Sequence, residues 1–222
     1  MNKDLIAYYN KRAKEYEKVY LKPERQDELN SATTLLQNIF SDKTVYEIAC
    51  GTGFWTEKIA ETATSIFATD INKAVIEIAQ QKQYQKSNVT FGLEDIFKLS
   101  GDNKYESAFG GFIWSHIKLQ DLNRFIDSIN NLTLPGGTVV FMDNNFVKES
   151  NHPITNTDED GNTFQTRKLE DGTTHLVLKN FPTESFLRTK LTGIVTDFKF
   201  INLKYYWLLT YKTPIEKWQQ LT

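Results

Sequence analysis

The sequence predicts an α/β fold built on a mostly parallel sheet with helices on both faces. Three observations carry that prediction. Residues 45–48 form a mostly apolar, strand-like run that stops at the small-residue turn Ala49-Cys50-Gly51-Thr52-Gly53, and a helical pattern resumes from Phe54 to Ala60. Between residues 44 and 142, strand-like and helix-like stretches alternate, as in βαβ units. Past residue 193, two β-like runs (193–200 and 203–211) close the pattern.

The 222 residues suffice for one well-buried α/β domain, with little left for a second. A hydrophobic content of 40% and a charged content of 24% are ordinary for a globular chain. The net charge of −2 argues against sequence-independent binding of nucleic acid, which needs a basic face. No apolar run approaches the roughly 20 residues of a membrane span. Met1-Asn2-Lys3-Asp4 lacks the apolar core of a signal peptide. The single cysteine, Cys50, makes no internal disulfide, and no cluster has metal-ligand spacing. The expectation is a cytoplasmic protein without metal, membrane or nucleic-acid partner, as a monomer or homodimer.

In chain order, Leu5, Tyr8/Tyr9, Arg12/Ala13, Tyr16 and Val19/Tyr20 recur at three and four residues, the stripe of an amphipathic helix. Leu29, Ala32, Leu35/Leu36 and Ile39/Phe40 predict a second helix begun just after Pro23. Residues 1–40 are thus a helical cap on a core at 43–143. Within the core, 65–69 is a strand ending at Asp70, and Asn72 is a good N-cap for the helix carrying Val75/Ile76 and Ile78/Ala79. Residues 88–91 are a short strand before Glu94-Asp95-Ile96. Residues 109–114 read as the fourth strand, with Ser115-His116 at its carboxyl end, and a helix carries Leu119, Leu122, Phe125/Ile126 and Ile129. Pro135-Gly136-Gly137 predicts a turn into a fifth strand, 138–142, ending at Asp143. Residues 145–160 are polar and loop-like. Runs at 163–169 and 173–179 flank Asp171-Gly172, a hairpin signal. Pro182-Thr183-Glu184 opens a short helix, so 181–222 holds that helix and the closing strand pair.

The glycine turn is the element around which function is read. Glycines there permit positive φ and let a ligand approach the backbone, and helix N-termini present free N–H groups. In an open α/β sheet such a turn lies at the carboxyl edge, where ligands bind. A dinucleotide fingerprint needs G-x-G-x-x-G, and its third slot is Thr56 here. No G-x-x-x-x-G-K-S/T is present, which excludes a P-loop. Glu47-x-Ala49-x-Gly51-x-Gly53 resembles motif I (E/D-x-G-x-G-x-G) of the class I S-adenosylmethionine-dependent methyltransferases, with alanine in the first glycine slot. Asp70, Asp95 and Pro135-Gly136-Gly137 extend the likeness, which runs from about Tyr8 to Tyr211. Residues 47–56, 110–116 and 205–211 look like a bacterial subgroup of small-molecule methyltransferases. The resemblance implies a Rossmann-like fold with a seven-stranded, mostly parallel sheet, an N-terminal helical cap and a β-hairpin insertion after the fifth strand.

It also implies S-adenosylmethionine as cofactor, S-adenosylhomocysteine as product and a small-molecule acceptor. Glu47, Ala49, Gly51 and Gly53 would hold the turn and the methionyl end. A carboxylate such as Asp70 suits the vicinal hydroxyls of a ribose, with Ile71 on the adenine face. Asp95, followed by Ile96, would accept from the adenine amino group; Glu94 is one residue away and competes for that place. Trp114 joins the cofactor set. Tyr8, Tyr16, His116 and Asp143 would line the acceptor pocket. Placing the acceptor near the methyl carbon supplies much of the rate, and a general base is needed only for an acceptor that keeps its proton. His116 and Asp143 are the candidates, against capping and loop-anchoring roles. The insertion at 145–180 reads as a roof over the pocket or as a dimerisation arm. Its Arg167, Lys168, His175 and Lys179 would meet an anionic substrate or only water. Two other readings of the chain compete: a nicotinamide-dependent oxidoreductase, and a non-catalytic protein that kept the fold.

Overall fold

The computed structural model describes residues 3–99 and 105–215, with side chains from Tyr8 onward except Lys14. Its strands are β1 (Thr44–Ile48), β2 (Ser65–Asp70), β3 (Val89–Leu93), β4 (Tyr105–Gly111), β5 (Thr133–Asn144), β6 (Asn156–Thr157), β7 (Thr163–Lys168), β8 (Thr174–Leu178), β9 (Thr196–Asn202) and β10 (Tyr206–Lys212). The α-helices are α1 (Lys3–Arg12), α2 (Gln26–Phe40), α3 (Phe54–Ala60), α4 (Lys73–Gln80), α5 (Leu122–Leu132) and α6 (Glu184–Leu191). Seven strands make one sheet in the order β3-β2-β1-β4-β5-β10-β9. β1 pairs in parallel with β2 and β4, and β10 runs antiparallel between β5 and β9.

Strand alternation sorts the side chains onto two faces. Val45, Phe109, Val140 and Leu208 join Leu36, Phe40 and Ile59 from α2 and α3 on one face. Tyr46, Ala108, Phe141, Trp207 and Leu209 join Phe125, Ile126, Ile129 and Leu187 from α5 and α6 on the other. The result is a sheet between helical layers. The predicted cap forms, with Asn72 accepting from Ala74 N at 3.1 Å, and in the segment expected to open a short helix Thr183 accepts from Phe186 N at 3.2 Å.

Three elements differ from the sequence expectation. The fourth strand, expected at 109–114, begins at Tyr105 and stops at Gly111, because Phe112 turns the chain with φ 59° and Trp114–His116 form one 3₁₀ turn. Apolar residues on both sides of Gly110-Gly111 hid that boundary. The expected turn at Pro135-Gly136-Gly137 lies inside β5, as an irregularity in the β4–β5 pairing with Gly136 at φ 71°. The expected first helix is α only to Arg12 and then 3₁₀ from Ala13 to Leu21. Ala13, Tyr16 and Val19 are spaced by three, so a three-residue turn keeps them on one face where an α-helix would rotate them apart.

The hairpin expected in the insertion is β7–β8, paired antiparallel, and β6 adds a third short strand. The cap lies on it: Tyr8 packs with Leu169 and Val177, and Lys11 and Lys18 pair with Asp171 and Glu170. Among the described residues no helix is long and apolar enough to cross a membrane, and no group of three or more His, Cys, Asp or Glu side chains is placed to hold a metal ion.

Candidate active site

The turn after β1 places its backbone in a conformation that few side chains tolerate. Ala49, Gly51 and Gly53 have φ 53°, 56° and 80°. A Cβ on Gly53 would sit 2.7 Å from Tyr84 Oη and 3.0 Å from Ala79 Cβ, so only glycine fits. Ala49 stands in the left-handed region without that freedom, a strain of about 1–2 kcal/mol; the sequence departure in the first glycine slot therefore has a local cost.

Two cavities meet at the carboxyl edge of the sheet. The first encloses about 770 Å³, part of it open to solvent, and is lined by the turn (Ala49, Gly51), by Asp70, Ile71, Asn72 and Val75, and by Glu94, Ile96 and Ile113. Its polar end is organised by Asp70, whose Oδ2 accepts from Gly51 N at 3.0 Å and whose Oδ1 accepts from Asn72 N at 2.8 Å. Burial pushes the Asp70 carboxyl up to about 6, against those backbone N–H groups. Glu94 accepts from Tyr46 Oη at 2.6 Å. The second cavity, about 1010 Å³ and also partly open to solvent, lies between the cap, β5 and the insertion and is lined among others by Arg12, Lys22, Arg25, Ser150, Arg167 and Lys179. Tyr9, Tyr16, Phe112 and His116 line both cavities. They form the boundary that the two cavities share.

His116 is buried at that boundary. Its Nδ1 lies 2.6 Å from Leu178 O, a group that only accepts, so Nδ1 carries the proton; its Nε2, 2.7 Å from Tyr9 Oη, then accepts from the phenol. Burial, with Lys179 and Arg167 nearby, holds the imidazole well below its ordinary range, so it is neutral. Asp143 is fully buried and lines neither cavity. Its Oδ1 accepts from Lys179 Nζ at 2.8 Å and from Asn144 N at 2.8 Å, and its Oδ2 from Ser115 N at 2.9 Å. Burial lowers the Lys179 ammonium, opposed by Asp143.

Of the residues singled out in the sequence, Ala49, Gly51, Asp70, Ile71, Ile96, Tyr16 and His116 line the first cavity. Six do not line it, Asp143 among them. Gly53 shapes the turn from behind. Glu47 is buried under the turn, with Oε2 unpartnered among the described residues; burial pushes its carboxyl up to about 8, with the Thr56 hydroxyl opposing and Asp70 adding. Asp95 accepts from Phe97 N at 3.0 Å and borders a separate recess with Arg124, whereas its neighbour Glu94 lines the cavity. Trp114 is core, against Phe125, Phe141 and Trp207. Tyr8 packs on the hairpin, and Tyr9 takes the cavity side. Sequence reasoning missed Tyr9, Phe112, Arg12 and Arg25. Tyr9 and Arg12 carried a signal, since both stand in the helical stripe of the cap.

Comparison with known proteins follows the same lines. Residues 45–137 match the family model described as a methyltransferase domain. Over 101 residues, 44% of this chain, the sequence is 32% identical to the malonyl-acyl-carrier-protein O-methyltransferase 2 of Ilyobacter polytropus, covering 38% of that protein. The chain thus spans little more than a third of the length of the curated relatives it matches. The fold is similar to that of the DhpI–SAH complex, with a TM-score of 0.79 and 23% identity over 96% of this chain and 97% of that one. The DhpI–SAM–HEP complex gives 0.78 and 23% over 95% and 99%. Residues 45–137 are thus similar to a methyltransferase domain. The chain around them has the fold of the class I S-adenosylmethionine-dependent methyltransferases.

Proposed function

We propose that this chain transfers the methyl group of S-adenosylmethionine to a small-molecule acceptor, with the cofactor in the first cavity and the acceptor in the second. The observation that carries this reading is the shared wall of Tyr9, Tyr16, Phe112 and His116, which joins a cavity with a carboxylate end and an apolar slot to a second, polar one. The residues present suit the cofactor. Asp70 accepts from ribose hydroxyls, Ile71, Val75 and Ile96 flank the adenine, and Glu94 rather than Asp95 reaches the adenine amino group. The bound cofactor supplies an electrophilic methyl on a sulfonium; the chain orients the acceptor and keeps water out. The solved complexes of the structurally similar DhpI with SAM and SAH support the cofactor. The O-methyltransferase relative supports the reaction class.

Ionised Asp70 is the form that accepts from hydroxyls, so affinity for S-adenosylhomocysteine should rise with pH as the group ionises around 6. Below that pH each unit should cost up to about tenfold. Titration between about pH 5 and 7 tests it. Asp70→Asn should flatten the dependence, and an absence of binding at every pH would remove the reading.

His116 acts as a positioning residue that fixes the Tyr9 hydroxyl at the boundary of the two cavities. His116→Ala should lower kcat/KM by roughly fivefold, the worth of one hydrogen bond of about 1 kcal/mol, and the loss should fall on the acceptor's KM with cofactor affinity nearly unchanged. A neutral imidazole predicts the same pH profile in both proteins between about pH 6 and 9; a lost limb in the variant would instead make His116 the base.

A further inference from the structure

We infer that the acceptor is an oxyanion, a carboxylate or a phosphate-type group, bound by the cations of the second cavity; this rests on the methyltransferase reading above. The whole chain carries a net charge of −2, yet Arg12, Lys22, Arg25, Arg167 and Lys179 converge on that cavity against the single carboxylate of Glu149. Lys179 is neutralised by Asp143. Among the described residues, none of the other four has a carboxylate within ion-pair distance. Arg25 is buried and Arg12, Lys22 and Arg167 are half-buried; cations withdrawn from water without a counter-charge carry a cost, so the arrangement is one that an entering anion completes.

The donors left over suit an oxyanion. Arg25 is held by Ser150 and Asn144 and lies against the rings of Tyr205 and Tyr206, a rigid floor. Arg167 spends two N–H groups on Gln165 Oε1. The Arg12 side chain makes no hydrogen bond among the described residues and rests over the rings of Tyr8 and Tyr16, at 5.8 and 5.5 Å. A guanidinium has five N–H donors in a fork that matches carboxylate and phosphate oxygens. Arg12 and Arg167 line the second cavity from the cap and from β7. The cations also depress one another's neighbours: Arg167, Arg12 and Lys22 all push His152 down, after burial.

An oxyanion also resolves the missing base. The Nε2 lone pair of His116 is engaged by Tyr9, and both oxygens of Asp143 are engaged by Lys179, Asn144 and Ser115. An oxyanion is nucleophilic without losing a proton. Its oxygen lone pair forms the new O–C bond while the C–S bond breaks and leaves its electron pair on sulfur. One negative and one positive charge vanish together, and no proton is released. The product is an ester.

The test is calorimetric titration of the cofactor-free protein with malonate, with inorganic phosphate and with uncharged malonamide, alongside S-adenosylhomocysteine as a control for the cofactor cavity. The expected result is binding of malonate or phosphate and not of malonamide, weakened at least tenfold in Arg12→Met and in Arg167→Met while S-adenosylhomocysteine affinity stays within twofold. Preference for malonate would identify a carboxylate acceptor, and preference for phosphate a phosphate-type one. A protein that binds S-adenosylhomocysteine but neither anion, or binds them equally in both variants, would overturn the inference and leave the methyltransferase reading intact. If a variant loses S-adenosylhomocysteine as well, the contrast between anions and malonamide in the parent protein decides.

Discussion

Asp70→Ala should weaken S-adenosylhomocysteine binding by about 1.5–3 kcal/mol, roughly ten- to 150-fold, the loss of hydrogen bonds to a charged acceptor. Two effects share that loss. The carboxylate leaves the ribose, and Gly51 N and Asn72 N lose the acceptor that shapes the turn. Asp70→Asn separates them, because an amide oxygen still accepts from one backbone N–H but carries no charge. Calorimetry on both variants reads the difference, with far-ultraviolet circular dichroism as a check on the fold. Unchanged affinity in Asp70→Ala would mean that the first cavity holds no ribose.

Lys179→Met should be the more damaging change to the fold. It strands Asp143, a fully buried carboxylate whose cation lies at 2.8 Å. Removing one partner of a buried pair costs about 3–5 kcal/mol, because the remaining charge stays uncompensated. For a chain of this size that is a fall in Tm of roughly 10 °C. The variant carrying both Lys179→Met and Asp143→Leu should regain much of it, since no charge is then left buried. Thermal unfolding of the single and double variants measures this. Equal stability of parent and Lys179→Met would show that Asp143 is hydrated or protonated in solution.

Most of the scaffold was legible because its signals are local. The glycine turn, Asn72 as a cap, Thr183 at the start of a short helix, and Asp171-Gly172 in its hairpin are each decided within a few residues. The β4 boundary was not: Gly110 and Gly111 sit in an apolar run, and only the positive φ of Phe112 ends the strand. Site residues failed where a one-residue choice depends on a distant partner. Tyr8 and Tyr9 are about 100° apart on a helix, and the hairpin from residue 163 onward decides which of them it covers. Glu94 and Asp95 alternate likewise, and Tyr46 draws Glu94 to the cavity. Asp143 read as a candidate base because its cation lies 36 residues away in sequence, on the insertion. The cationic cavity was half visible: Arg167 and Lys179 stood out in the hairpin, whereas Arg12 and Arg25 join them only when the cap folds over.

The measurement that bears most directly on the central claim is calorimetric titration of the protein with S-adenosylmethionine and, separately, with NADH. The account predicts one-to-one binding of S-adenosylmethionine with a dissociation constant in the micromolar range, about −8 kcal/mol, and no heat from NADH. Binding of NADH alone would contradict it, because the glycine turn and Asp70 would then serve a nicotinamide cofactor in spite of Thr56 and the closing strand pair.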